Sequence, residues 1–181
     1  MSRRTTAILS AVGCSALALL FVSISEVPPR LLYNPSPSAP TGFYKVRLPA
    51  DLQVGDMVAA AVPEPLRSLA VRRGYLRKQT PVVKRIVGVA GDHVCYRDGT
   101  VYLNSAPLVN PMIADSCARP MPVWTDCRVL AEGEFFLAMP DVPTSLDSRY
   151  FGPVTSDSLL GRLEPLMTLT ARSGRGPDHG R

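Results

Sequence analysis

TPVVKRIVGV, Thr80 to Val89, is apolar or β-branched almost throughout, interrupted by a single Lys-Arg pair. A half-exposed strand alternates polar with apolar residues, so this near-continuous run reads as a strand buried on both faces over much of its length. Lys84 lies in its middle, and Val82 and Ile86, two positions to either side, share its face. Desolvation there disfavours the charged amine and can lower its pKa by ~3 to 5 units, leaving a base near neutral pH. Taken alone, the simpler reading is an amine that snorkels to the strand edge or pairs with a carboxylate.

The flanking sequence is built to surround such a strand with others. Downstream, a Gly91-Asp92 turn leads into a hairpin of Val94 to Tyr96 and Thr100 to Leu103 about Asp98-Gly99. After a proline-rich loop from Asn104 to Asp126, which holds the lone Trp124, a second hairpin is expected. It joins Arg128 to Leu130 with Glu134 to Met139 through Glu132-Gly133, and Ser158 to Thr170 supplies the last strand. Upstream, Gly42 to Leu48 alternates and Met57 to Val62 follows a turn, as the first strands of an antiparallel sheet. One helix runs from Pro63-Glu64-Pro65 to Gly74, with Leu66, Leu69 and Ala70 on one face. Its Arg67, Arg72 and Arg73, with Arg77 and Lys78, read equally as a solvated face or as a contact for anionic lipid headgroups.

The expectation is therefore a mainly β, antiparallel-sheet domain over residues 26–170 with one short helical insertion. Eighteen prolines and 13 glycines without a period exclude a helical bundle, a coiled coil and collagen. With 46% hydrophobic and 19% charged residues, the chain of 181 is not a disordered one. Two histidines and four cysteines, without C-x-x-C or H-E-x-x-H spacing, lead us to expect no metal and no cofactor. The net charge of +5 is spread over helix and tail, and no nucleic-acid partner is expected.

Thr5 to Ser25 carries no charge and follows Arg3 and Arg4. At ~1.5 Å per residue it just spans a ~30 Å hydrocarbon core. The arginines place residues 1–4 in the cytoplasm and everything after the 5–25 anchor across the membrane. A cleaved signal peptide ending at Ser23-Ile24-Ser25 competes with this, but the apolar run is long for one. A lipoprotein reading through Ala11-Val12-Gly13-Cys14 is weaker, because only a short apolar run precedes that cysteine. From Glu26 to Pro40 five prolines impose an extended approach to the domain, and residues 171–181 read as a basic, disordered tail.

For hydrolytic chemistry the bases are few. His179 is in the tail and His93 sits one residue past a turn, whereas a Ser/Lys dyad needs only a serine and a desolvated amine within hydrogen-bond reach. Ser36 and Ser38, in the proline-flanked NPSPSAP, are candidate nucleophiles, although by composition they are simply loop residues.

Four stretches in one order then resemble the S26-type signal peptidases. Residues 35–44 (PSPSAPTGFY) look like the nucleophile box P-S-x-S-x-P, and residues 83–92 (VKRIVGVAGD) like the lysine box K-R-x-x-G-x-x-G-D. Residues 145–154 (SLDSRYFGPV) look like S-x-D-S-R-Y-x-G, and Gly161-Arg162 like the terminal G-R. The short S-A-P-T-G-F-Y form, the Arg73-Gly74-Tyr75-Leu76 stretch and the small size are similar to the conjugative-transfer, TraF-type branch. The housekeeping enzyme carries G-D-N-R-D-N where residues 138–144 here read AMPDVPT, which makes general type I signal peptidase the lesser reading.

The resemblance implies an antiparallel β fold with Ser38 as nucleophile and Lys84 as general base. The oxyanion hole would be the Ser38 N–H and the Ser36 hydroxyl. Ser145 would orient the lysine, and Asp147 and Arg149 would form a supporting ion pair. Substrate would add as an extended strand over shallow pockets for small side chains, with Val82 and Ile86 as pocket wall or simply core. Three pairings of Cys95, Cys117 and Cys127 exist beyond the membrane, and the resemblance favours Cys95 with Cys127. The implied partner is an exported protein substrate at the membrane, a pilin or another precursor, cleaved and in some cases cyclised in the bacterial periplasm from an inner-membrane anchor. A catalytically silent anchored scaffold of a secretion complex is the reading from another class. A soluble self-cleaving repressor is excluded, because a membrane span stands where its DNA-binding domain would be.

Overall fold

The computed structural model describes residues 4, 8, 12–17, 20 and 30–169. The expected anchor lies largely, and the tail wholly, outside the described residues. Among the described residues no helix is long and apolar enough to cross a membrane.

In chain order the elements are β1 (Leu31–Asn34), β2 (Thr41–Arg47), β3 (Met57–Ala60), α1 (Leu66–Arg72), β4 (Val82–Gly88), β5 (His93–Arg97) and β6 (Thr100–Leu103). They continue with β7 (Ala106–Val109), β8 (Cys127–Val129), β9 (Glu134–Ala138), α2 (Ser148–Phe151), β10 (Val154–Thr155) and β11 (Leu159–Leu169). Every strand pairing is antiparallel. The larger sheet runs β1-β2-β11-β3-β4-β9-β10 and the smaller β7-β6-β5-β8.

The near-continuous apolar run becomes β4 because that strand is interior to its sheet, between β3 and β9. Val58, Ile86 and Leu137 on these three strands are fully buried in one core cluster with Val82, Leu66 and Tyr150. A second cluster gathers Ala39, Tyr44, Ala59, Val83 and Met139, and a third packs the small sheet onto the large one through Val94, Val101, Leu130 and Phe136.

The expected second hairpin does not form. β8 pairs with β5, while β9 pairs with β4 and β10 in the other sheet. Leu130 and Phe136 each bury an apolar side chain in the core between the sheets, which outweighs local pairing across the Gly133 turn. The Arg128 guanidinium grips both Glu134 carboxylate oxygens, at 2.7 and 2.8 Å, across that change of sheet. Cys95 and Cys127 face each other in the β5–β8 register and are joined as a disulfide, leaving Cys117 free.

Four further elements, β1, β7, α2 and β10, were not read from the sequence. β7 emerges from the proline-rich loop because Asn104 and Ser105 both take positive φ, 49° and 70°, and fold the chain back on β6. Its Pro107 is tolerated on an edge strand. β1 forms within the proline-rich approach and pairs with β2. α2 is a single turn capped by the Asp147 side chain, which accepts from the Arg149 N–H.

Close approach of backbones fixes the glycine of the terminal G-R pair. A Cβ on Gly161 would overlap the Arg47 carbonyl oxygen and Val46, where β11 bulges between its neighbours. Gly161→Ala is therefore expected to cost about 1–3 kcal/mol, read as a lowered denaturation midpoint at unchanged m-value.

Candidate active site

The loop 35–40 between β1 and β2 is shaped by a residue that the sequence reading passed over. Asn34 is buried, and its side-chain amide donates to the carbonyls of Ser36, Ala39 and Pro40 at 3.0, 3.3 and 3.1 Å. Its Oδ1 accepts the Ser36 N–H at 3.1 Å, and the Tyr44 hydroxyl donates to the Pro40 carbonyl at 2.6 Å. The available signal was an asparagine directly before a proline-rich turn, where its side chain can stand in for backbone partners.

So held, the loop turns Ser38 towards β4. Lys84 Nζ lies 2.9 Å from Ser38 Oγ, although Lys84 is only 2% exposed. Ser36 Oγ is 2.9 Å from Ser38 Oγ and accepts the Ser38 N–H at 3.3 Å. Burial is the main force on the lysine and pushes its pKa down to about 8, with Asp147 pulling it up and Arg149 pushing it further down. At pH 7 roughly one-tenth of the amine is then neutral. The neutral amine is an acceptor for the Ser38 proton, so this pair can generate a nucleophilic alkoxide without histidine.

The wall behind the lysine is residues 145–149. Asp147 and Arg149 are both essentially unexposed and form a two-point ion pair at 2.7 and 3.0 Å. The remaining guanidinium hydrogens reach the carbonyls of Met139, Val142, Pro143 and Asn110. Asp147 also accepts the Met139 N–H, and the neighbouring Ser148 hydroxyl accepts the Leu137 N–H, clamping this wall to β9. Ser148 is thus a supporting residue that pattern alone did not single out.

Ser145 is fully buried in this wall, and its hydroxyl has no hydrogen-bond partner among the described residues, while the Lys84 amine reaches Ser38. Of the two residues read as pocket wall or core, Val82 lines the cleft near the start of β4, whereas Ile86 lies in the core where β4 is paired with both β3 and β9. Ser36, Ser38 and Lys84 line one cleft of about 850 Å³.

Residues 3–167 match the family model described as signal peptidase, peptidase S26. The chain belongs to the S26 signal peptidase family. The conjugal transfer protein TraF of Agrobacterium fabrum is 29% identical over 93% of this chain and 98% of its own length. A plasmid transfer protein TraF of Escherichia coli is 30% identical over 75% of this chain and 81% of its own. A signal peptidase I crystal structure from Enterococcus faecalis is 27% identical and covers 64% of this chain and 99% of that one. Its TM-score is 0.38.

If the S26 pair acts through a neutral lysine, kcat/KM rises with pH along a limb of unit slope centred near the lysine's value of about 8. The sign follows from the base being competent only when deprotonated, so activity is lost as pH falls through that value. A pH–rate profile on a fixed peptide checks it.

Proposed function

We propose that this S26 peptidase is a membrane-anchored serine endopeptidase that processes an exported precursor of a conjugation system, most simply a pilin. The observation that carries this reading is a half-buried Ser38 hydroxyl 2.9 Å from the amine of a buried Lys84. The names of the TraF relatives support a place in conjugal transfer. The apolar 5–25 segment and the arginines before it support an inner-membrane anchor with the catalytic domain in the periplasm.

In the proposed reaction Lys84 takes the Ser38 proton as Oγ attacks the scissile carbonyl. The oxyanion is held by the Ser38 N–H, which in the free site donates to Ser36 Oγ, and by the Ser36 hydroxyl, which is paired with Ser38 Oγ; both turn to the substrate as it arrives. The C–N bond breaks as Lys84 returns its proton to the leaving amine, and an ester to Ser38 remains. Water, or the amine of the bound peptide itself, resolves that ester and gives a linear or a cyclic product. Asp147 and Arg149 act as positioning residues, holding the lysine strand's back wall and balancing its local charge.

Co-expression of the full chain with the pilin precursor of its transfer system, followed by intact mass of the pilin, tests this reading. A shortened pilin supports it, and a product lighter by one further water identifies cyclisation. An unprocessed precursor beside folded, membrane-inserted enzyme contradicts the pilin assignment.

A further inference from the structure

The cavity that holds Ser38 and Lys84 continues along β1 and the start of β4 to a second wall, formed by Tyr75, Met112, Asp115, Met121, Leu146 and Tyr150. Val82, which shares Lys84's face of β4, packs with Leu76, Met121 and Tyr150 in one core cluster, while Ala39, next to Ser38, packs with Val83 in another. Thr80 and Pro81, just before β4, line the same cavity as Val82 and Lys84, so the lining from Lys84 back to Thr80 spans four residues, or ~13 Å if extended at ~3.3 Å per residue. An extended substrate strand with its scissile bond at Ser38 would cover the same length with about four of its own residues.

The second wall is a built feature. The segment 111–122 folds on itself through the Ala114–Pro120 bridge and the Met121 N–H to the Ile113 carbonyl at 2.8 Å. It is fastened outward by the Met112 N–H to the Tyr150 hydroxyl at 3.0 Å and by Arg73 to the Pro120 carbonyl at 2.9 Å. At its centre the Asp115 carboxylate accepts from the Tyr75 hydroxyl, from Arg119 Nε at 2.7 Å, and from the N–H groups of Cys117 and Arg119 at 2.9 Å. The carboxylate's acceptor sites are taken by these donors, so it is a fastener and not a binding site for a substrate cation. What it holds against the cavity is apolar: two thioethers, two tyrosine rings and leucines, of which the methionines adapt readily to the shape of a guest.

We infer that this end of the cleft is a specificity subsite for a large apolar side chain of the substrate, about four residues from the scissile bond, walled by Met112, Met121, Tyr75 and Tyr150. The inference rests on the peptidase reading for the position of the cut. It makes the enzyme a ruler: a bulky anchor in the subsite sets which peptide bond lies over Ser38.

The probe is a set of ten-residue peptides of alanine and glutamine, each with one Leu, Phe, Asp or Lys at a successive position. With the full wild-type chain, the cut is expected to move with the Leu or Phe at a fixed offset, and kcat/KM for these peptides to exceed that of the unsubstituted peptide by ~10-fold or more. Asp and Lys give no such gain. Met121→Trp, which fills the subsite, and Met112→Trp, which narrows it from the exposed side, should shrink the ratio of Phe to unsubstituted peptide towards one. Cut sites that ignore the bulky residue, or a ratio that survives in folded Met112→Trp and Met121→Trp, overturn the subsite.

Fluorescence anisotropy with the Ser38→Ala chain separates this from the peptidase reading. Tighter binding of Phe than of unsubstituted peptide, lost in Ser38→Ala/Met121→Trp, sustains the subsite even if wild type cuts nothing. Equal binding of all the peptides, without cleavage by wild type, overturns it.

Discussion

Lys84→Met is expected to lower precursor cleavage by about 10³-fold or more while making the folded domain more stable at pH 7. Methionine keeps the length and apolar stem of lysine, so the packing around β4 is retained. What is lost is the amine 2.9 Å from Ser38 Oγ. What is gained is relief from burying a charge. The folded lysine is held down to about 8 from an ordinary value of 10.5, mainly by burial. Below about pH 8 it is protonated in both the folded and unfolded chain, and folding bears the full desolvation cost. Between there and pH 10.5 only the unfolded chain keeps its proton, so wild-type stability climbs with pH and the advantage of methionine fades. The gain should be ~1–3 kcal/mol at pH 7 and vanish above the upper value. Denaturation midpoints of both chains at pH 7 and 10.5, beside a cleavage assay, check the two halves separately. A residue that merely stabilised the fold would show the opposite pairing.

Asp147→Ala is expected to be the most destabilising of these substitutions, by ~3–5 kcal/mol. It leaves the Arg149 guanidinium uncompensated at 1% exposure and frees the Met139 N–H. Loss of activity in that variant reflects loss of fold. The milder Asp147→Asn separates structure from electrostatics, because Asp147 pulls the Lys84 pKa up and Arg149 pushes it down. In folded Asp147→Asn the acid limb of the rate profile should therefore move to lower pH, and in folded Arg149→Met to higher pH. Thermal melts and pH–rate profiles on the same preparations read both effects.

Much of this site was legible in the residues. A lysine within a run of valines and one isoleucine bears a desolvation cost, which made it a candidate base. The residues alone favoured an amine at the strand edge or paired with a carboxylate, and the resemblance to the S26 boxes decided between the two. Strand β4 was readable because burial on both faces leaves a compositional mark. The partner of β9 was not readable, since nothing local distinguishes pairing across the Gly133 turn from a passage into the other sheet. That choice is made by Leu130 and Phe136 meeting Val94 and Val101 of the smaller sheet in the core between the sheets. Asn34 escaped notice for a different reason. Its work is done by three backbone carbonyls within the next six residues, and a short polar residue before proline has the same appearance in any turn. The 111–122 wall depends on Asp115 meeting Tyr75 forty positions away, a contact without a sequence period.

The most direct measurement is intact mass of the pilin precursor co-expressed with wild type or with Ser38→Ala, on enzyme shown by its melt to be folded. Ser38→Ala keeps the backbone N–H, Asn34's bonds to the loop and the buried lysine, and removes only the attacking oxygen. The account predicts a shortened pilin with wild type and an intact one with folded Ser38→Ala. Processing by folded Ser38→Ala at the wild-type rate would contradict the Ser38–Lys84 assignment and move the scaffold reading ahead of it.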